Sequence, residues 1–242
     1  MPEPQALVVA ASILALAALT QGFFGFGFGI IAMTGLTLSH DLVHAAGVVN
    51  LTGIALTGSL VWQLRRGVLW PVMRRVAPAL LLGVLVGVTA LRTLDREILV
   101  RALGLTIVAI AAWNLLSPRL RRGESRVQDV ATGLLAGLLG GAFNTGGPPL
   151  VAHLYRRDEA PESLKATVQA LFLTIGASRL PLAAGQGLMT AAVWRDAALA
   201  LPFVVAGSYA GLALARRVPA ERFRRACWIA LGSLGVALLA TG

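Results

Sequence analysis

Long apolar segments recur along almost the whole chain, and they constrain its fold more than any other feature. Eight of them are separated by short polar or basic stretches: 6–19, 43–64, 76–91, 98–116, 130–143, 164–183, 191–214 and 223–240. Each approaches or reaches the length that a helix needs to cross about 30 Å of hydrocarbon. They are continuous runs rich in Leu and Ala, without the two-residue alternation of a membrane β-strand. The sequence therefore predicts an all-α, polytopic membrane protein.

The charge distribution indicates a lipid bilayer as the partner and excludes nucleic acid. The formal net charge is +10, but charged residues make up only 13% of the chain and hydrophobic residues 57%. The arginines lie between the apolar segments, without the interleaved aromatic residues of a base-stacking surface. They are therefore interpreted as topology signals. The single cysteine, Cys227, excludes an intrachain disulfide and a cysteine metal site.

The second half of the chain repeats the first. An offset of 119 residues aligns Gly22 with Gly141, Phe24 with Phe143, and Asn50 with Gln169. An offset of 124 residues aligns Pro78 with Pro202, Gly83 with Gly207, and Arg92 with Arg216. We expect a first membrane repeat at 1–116, a basic cytoplasmic linker at 117–126, and a second membrane repeat at 127–242.

The basic loops predict that the two repeats have opposite orientations. In the first half the basic loop follows the second apolar segment, whereas in the second half it precedes the last one. Because basic short loops stay cytoplasmic, these two loops and the linker all lie on one side. Each repeat must then cross the membrane an odd number of times, and both termini lie outside.

Each half holds four apolar segments, so one of them must fail to cross, and the first is interrupted in both halves. The interruptions are "TQGFFGFGFG" at 20–29 and "GGAFNTGGPP" at 140–149. Each repeat is therefore predicted to hold a broken, re-entrant helical hairpin and three spanning helices. Irregular backbone at membrane depth persists only where it is buried in protein or lines a watery cavity. We expect the two loops to meet near the midplane.

The interrupted segments offer the groups that an anion site needs. Pro148 and Pro149 suit the first turn of a helix, whose free N–H groups attract anions. The alternative is that the glycines only permit tight helix packing. The candidate substrate contacts in the loops are Gly25, Phe26, Gly27, Asn144, Thr145, Gly146 and Gly147.

The paired loops "GFFGFGFG" and "GGAFNTGGPPL", with a basic linker between halves of about 120 residues, resemble the sulfite exporter family TauE/SafE. The resemblance covers nearly the whole chain. It implies a bacterial inner-membrane permease for small sulfur-containing anions such as sulfite or organosulfonates. Family members carry a Pro after the first loop, where this chain has Ile30 and Ile31. That difference favours the second loop as the main substrate contact.

Three polar residues inside the later apolar segments complete the candidate site. Asn50 and Gln169 are equivalent in the two halves, and either line the cavity or bond across helices. Arg179 lies late in its segment, with no acidic residue near it in sequence. It either supplies charge to the anion path, at a vestibule or gate, or snorkels to the membrane interface.

The remaining residues give no sign of an enzyme. The sequence holds no GxSxG or HExxH motif and no carboxylate pair inside an apolar segment. His40 and His44 flank Asp41 as in a solvated turn, offering too few ligands for a metal, and His153 is a candidate proton carrier. We expect no cofactor and no metal. The sequence does not indicate which oligomeric state the protein has. The two functions left are a secondary transporter for a small anion and a non-transporting membrane scaffold.

Overall fold

A computed structural model describes residues 4–116, 125–155, 157–215 and 236 of the chain. In these ranges the chain is helical, with no β-strand. The helices are α1 Pro4–Phe24, α2 Phe28–Thr37, α3 Leu42–Leu64, α4 Trp70–Thr93, α5 Arg96–Leu116, α6 Arg126–Phe143, α7 Gly147–Leu154, α8 Pro161–Gly185 and α9 Ala191–Ala215. A short 3-10 turn, Arg65–Gly67, joins α3 to α4. The predicted all-α class is therefore confirmed.

Four helices of the described part are long and apolar enough to cross a membrane. They span Leu42–Gly67, Trp70–Thr93, Glu162–Gly185 and Ala191–Ala215. Val8–Phe24 and Phe28–Thr37 are shorter apolar helices, so the first apolar segment is interrupted where the sequence predicts. The linker at 117–124 and nearly all of the last apolar segment lie outside the described residues.

Contacts between helices of the first half and helices of the second half hold the two halves of the chain together. The α4–α6 and α1–α9 pairs are equivalent to each other in the sequence repeat, and α3 is equivalent to α8. The most extensive contacts join α4 to α6, α1 to α9, and α3 to α8. Gly83 on α4 packs on the carbonyl of Leu134, and its equivalent Gly207 on α9 packs on the carbonyl of Ala15. Leu134 and Ala15 are themselves equivalent at the offset of 119. Both contacts are too close for a Cβ, so glycine lets the helix backbones approach.

Contacts along these pairs fix the helix directions. Gly87 meets Leu138 one turn beyond the Gly83–Leu134 contact, so α4 and α6 run parallel. The corresponding contacts of α9 with α1 make that pair parallel as well. In contrast, Gly67 beyond the end of α3 lies against Ser163 near the start of α8. The equivalent helices α3 and α8 are therefore antiparallel.

The helix directions place the basic loop between α3 and α4 at one end of the bundle, called here the basic pole. Helix α3 ends and α4 begins there, with Arg65, Arg66, Arg74 and Arg75 between and beside them. Because α6 is parallel to α4 and α8 is antiparallel to α3, both also begin at this pole, and α9 ends there. The opposite end, the far pole, holds the starts of α3 and α9, where His44 bonds Asp196 at 3.0 Å.

Candidate functional site

The two glycine-rich interruptions form the tips of two helical hairpins. Helices α1 and α2 fold back on each other, since Gly35 lies against Ile13 and Gly27 against Thr20. Helices α6 and α7 do the same, with His153 bonded to Asp129 near the open end of the hairpin. Each tip turns through the left-handed region, at Gly27 with φ 108° and at Asn144 with φ 55°. Gly and Asn are the residues that tolerate this conformation best.

The two hairpin tips touch each other. Gly29, in the first turn of α2, packs on the backbone carbonyl of Asn144, which leaves no room for a Cβ. Gly147, in the first turn of α7, lies near the Cβ of Phe26. The tips enclose a central cavity of about 70 Å³, whose other walls come from α3 and α8. By the same measure one water needs only about 10–15 Å³, so the cavity has room for a small polyatomic ion.

Six of the predicted site residues line the central cavity. They are Gly27, Asn50, Asn144, Thr145, Gly146 and Gly147. The sequence therefore located both loops and the polar residue of α3 that faces them. Gly25, Phe26, Gln169 and Arg179 do not line it. These four surround the cavity and bind its walls to neighbouring helices.

Backbone N–H groups from two helix starts converge on the central cavity. The first N–H groups of a helix have no partner within that helix. At the start of α2, the N–H of Phe28 donates to Gln21 Oε1 at 3.2 Å, while Gly29 and Ile30 have no backbone acceptor among the described residues. At the start of α7, no described backbone carbonyl accepts a hydrogen bond from Gly146 or Gly147. Helix starts carry partial positive charge, so this geometry suits an anion.

Asn50 is a buried polar side chain whose hydrogen-bonding groups a ligand in the cavity could satisfy. It is 2% exposed and lines the cavity, yet within the described part of the chain neither Nδ2 nor Oδ1 has a hydrogen-bond partner. A buried amide without a partner carries a free-energy cost, which a bound molecule in the cavity would remove. Its repeat equivalent Gln169 has partners, since Gln169 Oε1 accepts from Gln21 Nε2 at 3.0 Å and Gln169 Nε2 donates to the carbonyl of Gly25. Of the two roles considered, Asn50 therefore faces the cavity and Gln169 bonds across helices.

The structure shows that Arg179 does not snorkel to the membrane interface. Its side chain is 1% exposed, and it donates from Nε to Gly141 O at 2.8 Å and from Nη1 to Ala46 O at 3.0 Å. Asn144 Nδ2 donates to the same Ala46 carbonyl at 2.9 Å. The guanidinium thus lies beside Asn144, behind the cavity wall. The interpretation as an interfacial anchor is wrong, because backbone carbonyls from α3 and α6 satisfy the buried charge.

The loop side chains are also engaged by their own backbone. Thr145 is 1% exposed, and its hydroxyl donates to Leu139 O at 3.4 Å. Its oxygen can therefore accept a hydrogen bond but has no second proton to donate. Phe26 is buried, and its ring packs on Phe24 with 5.9 Å between centroids. These contacts leave the free hydrogen-bond donors of the tips mainly to the backbone and to the amides.

The electrostatics of the central cavity suit a negative ligand. Among the described residues, no acidic side chain lines it. Arg179 lies beside Asn144 behind the cavity wall, and the aliphatic part of the Lys165 side chain lies against Gly25. Lys165 was missed from the sequence, although it is the chain's only lysine and is the repeat equivalent of Ala46. Its place beside the first loop becomes visible only when α8 is packed on the hairpin.

A second missed residue is Asp129, which sequence reasoning placed at the end of an apolar segment. It lies in the first turn of α6, is 1% exposed, and bonds His153 and two arginines. His153, considered as a proton carrier, is thus bonded to a buried carboxylate. The described residues contain no group of three His, Cys, Asp or Glu side chains able to hold a metal.

Comparison with known proteins gives a family match and related transporters. The sulfite exporter TauE/SafE family matches residues 10–238. A probable sulfite/organosulfonate exporter TauE of Cupriavidus necator is 29% identical over 227 residues, covering 90% of this chain and 88% of the relative. A probable inner membrane transporter protein TsaS of Comamonas testosteroni is 28% identical over 180 residues, covering 72% of this chain and 73% of the relative.

No solved structure matches the chain. The family match covers most of the sequence, includes both hairpins, and groups the chain with transporters rather than enzymes. Together with four helices able to span a bilayer, it identifies a multi-pass bacterial membrane transporter. The chain belongs to the sulfite exporter TauE/SafE family.

Proposed function

We propose that the protein is a secondary transporter for small sulfur-containing anions such as sulfite or organosulfonates. A relative named as a probable sulfite/organosulfonate exporter supports this substrate class. The observation that carries the proposal is the central cavity, where Asn50 lacks a partner and two helix starts present N–H groups. An oxyanion accepts hydrogen bonds at several oxygens, so it can satisfy amide and backbone donors together.

The anion is held by neutral donors with the positive charge behind them. Asn50 and the first-turn N–H groups of α2 and α7 contact the ligand, and Arg179 and Lys165 supply positive potential. Arg179 also fixes the wall, because it shares the Ala46 carbonyl with Asn144. A site without a direct guanidinium contact binds an anion moderately, which suits a transporter that must also release it.

The two halves of the chain act as inverted repeats with re-entrant hairpins. The antiparallel packing of the equivalent helices α3 and α8 supports inversion, since repeats related by an axis along the membrane normal would be parallel. Helix α2 holds 10 residues, about 15 Å at 1.5 Å per residue, which is half the hydrocarbon thickness. The hairpin tips then lie near the midplane, with the linker and the basic pole in the cytoplasm.

Export of a monoanion needs no second ion. In a cell with a negative interior, expelling one negative charge gains about 2.3 kcal/mol per 100 mV of membrane potential. The described residues that line the cavity include no carboxylate for proton coupling. Uniport down the anion's electrochemical gradient is therefore the simplest mode.

The test is counterflow of labelled sulfite, small sulfonates and small carboxylates in proteoliposomes that contain the purified protein. We expect exchange of sulfite or a sulfonate, and lower exchange in the Asn144→Gly variant, which keeps the left-handed backbone at φ 55° but removes the amide. Ser178→Ala is the matched control, because this hydroxyl of α8 bonds only its own helix and does not line the cavity. Absence of exchange for every sulfur anion in a folded protein would refute the proposal.

A further inference from the structure

The basic pole is closed by a buried ion-pair cluster that joins three parts of the bundle. Asp129 Oδ1, on α6, accepts hydrogen bonds from His153 Nε2 at 2.7 Å and from Arg157 Nη2. Asp129 Oδ2 lies 2.9 Å from Arg75 Nε on α4. We call these four residues the Asp129 cluster. Because it ties the second hairpin to α4 of the first half, the pole cannot open while these bonds persist.

The place that corresponds to the cluster at the far pole is open. A cavity of about 220 Å³, called here the outer cavity, lies there between α1, α2, α3 and α9. Ala10 and Leu199 line it. Ala10 is the equivalent of Asp129 at the offset of 119, and Leu199 is the equivalent of Arg75 at the offset of 124. The equivalent places at the two poles therefore differ. Charged groups join α4 to α6 at the basic pole, whereas at the far pole a cavity lies between the described helices, with the His44–Asp196 pair in its wall.

Resting on the function proposed above, we infer that the Asp129 cluster is the closed cytoplasmic gate of the transporter and that the outer cavity is its open outer vestibule. A transporter built from two inverted repeats exposes its site to one side at a time, because the repeats exchange conformations. Each repeat here holds one of the two conformations. The small side chain of Ala10 leaves one pole open, and the ion pairs of Asp129 close the other.

The chemistry of the gate also indicates how an anion opens it from the cytoplasm. In the closed state the carboxylate of Asp129 contacts Arg75 and Arg157, as a substrate anion would. An arriving sulfite or sulfonate has the charge and the acceptor oxygens to replace that carboxylate. Exchange of one anionic partner for another releases α6 from α4 and leaves the arginines facing the substrate. Arg75 and Arg157 are therefore entry residues as well as gate residues.

Cysteine accessibility from each side of the membrane tests the gate. In a Cys227→Ser background, Ala79→Cys reports on the basic pole, because Ala79 is 8% exposed and lies against Gly133, one turn beyond Asp129. Ala10→Cys reports on the outer cavity. With a membrane-impermeant thiol reagent in oriented vesicles without substrate, we expect Ala10→Cys to react from outside and Ala79→Cys to be protected from the cytoplasmic side.

Adding Asp129→Asn should reverse this pattern. The rate at Ala79→Cys should rise by about tenfold or more and the rate at Ala10→Cys should fall, since loss of a charged hydrogen bond shifts a two-state equilibrium by roughly that factor. Arg75→Gln should act in the same way from α4, and it serves as the test if Asp129→Asn does not fold. Asp196→Asn is the matched control, because this carboxylate pairs with His44 at the far pole and should not raise labelling at Ala79→Cys.

Three outcomes would overturn the inference. One is reaction of Ala79→Cys from the cytoplasmic side without any gate substitution. Another is unchanged labelling in folded Asp129→Asn and Arg75→Gln proteins. A third is a rise at Ala79→Cys with no fall at Ala10→Cys, which would make the cluster a local packing element. The labelling is measured without substrate, so it is independent of sulfite exchange. If the labelling is as expected but the protein does not exchange sulfite, the proposed substrate is refuted and the gate is not.

Discussion

Asn50→Leu should affect stability and anion binding in opposite directions. Leucine has nearly the shape of asparagine, but it removes a buried Nδ2 and a buried Oδ1 that have no partner in the empty protein. Each unpaired buried polar group costs about 1–3 kcal/mol. The substitution should therefore leave the ligand-free protein at least as stable as before. A gain of about 1 kcal/mol would raise the Tm by roughly 2–4 °C in a chain of this size.

Binding should weaken because the ligand loses a donor. A hydrogen bond to a charged group contributes about 1.5–3 kcal/mol, so the Kd for sulfite or a small sulfonate should rise roughly ten- to hundredfold. The assay pairs equilibrium binding of the labelled anion to detergent-solubilised protein with thermal unfolding of the same sample without anion. Opposite movement of the two quantities separates a ligand contact from a structural residue.

Thr52→Val is the control for Asn50→Leu. Thr52 lies on the same helix, is fully buried, and donates its hydroxyl to Val48 O at 2.7 Å without lining the central cavity. Its Kd should match that of the unmodified protein. An unchanged Kd in Asn50→Leu would refute the argument that this amide serves the anion. A loss of both binding and thermal stability would show that Asn50 is needed for packing instead.

Three further predictions follow from the same contacts. Gly207→Ala should force α9 away from the Ala15 carbonyl and lower the free energy of unfolding by about 1–3 kcal/mol. Gly185→Ala is the control and should cost far less, because nothing lies within 4 Å of the added Cβ. Thermal melts compare the two variants, and equal melting temperatures would contradict the close packing of α9 on α1. Arg179→Lys should reduce anion binding nearly as much as Arg179→Gln, because a lysine cannot make both contacts, to the Gly141 and Ala46 carbonyls. Full anion binding by the lysine variant would show instead that the positive charge alone suffices. A membrane-impermeant thiol reagent should label Arg66→Cys only from the cytoplasmic side. It should label Leu94→Cys, which is 46% exposed at the far pole, only from outside. Labelling of both cysteines from the same side would exclude the inverted topology.

Much of the architecture could be predicted from the sequence because the relevant signals are local. Apolar length predicts helices, since the backbone must satisfy its hydrogen bonds internally in a bilayer. Glycines interrupt the first apolar segment in both halves, with two prolines beside them in the second half, and the structure has its two hairpin tips at these points. The basic loops predict a common side for both halves, and the described one, with Arg65 and Arg74, lies at the pole where α6 and α8 begin. The two loops, the polar residue Asn50 and the family resemblance could all be found from such local signals.

Only the tertiary structure decided which polar groups are free and which are satisfied. Gln169 and Asn50 are equivalent in sequence, yet Gln169 bonds Gln21, 148 residues away, while Asn50 has no partner. Arg179 has no acid near it in sequence, and its partners are backbone carbonyls, including that of Ala46, 133 residues away. Every residue has a backbone carbonyl, so no side-chain pattern in a sequence can mark the one that will accept a bond. Helix formation follows from neighbouring residues, whereas the pairing of a buried polar group depends on which distant segments come together in the packed bundle.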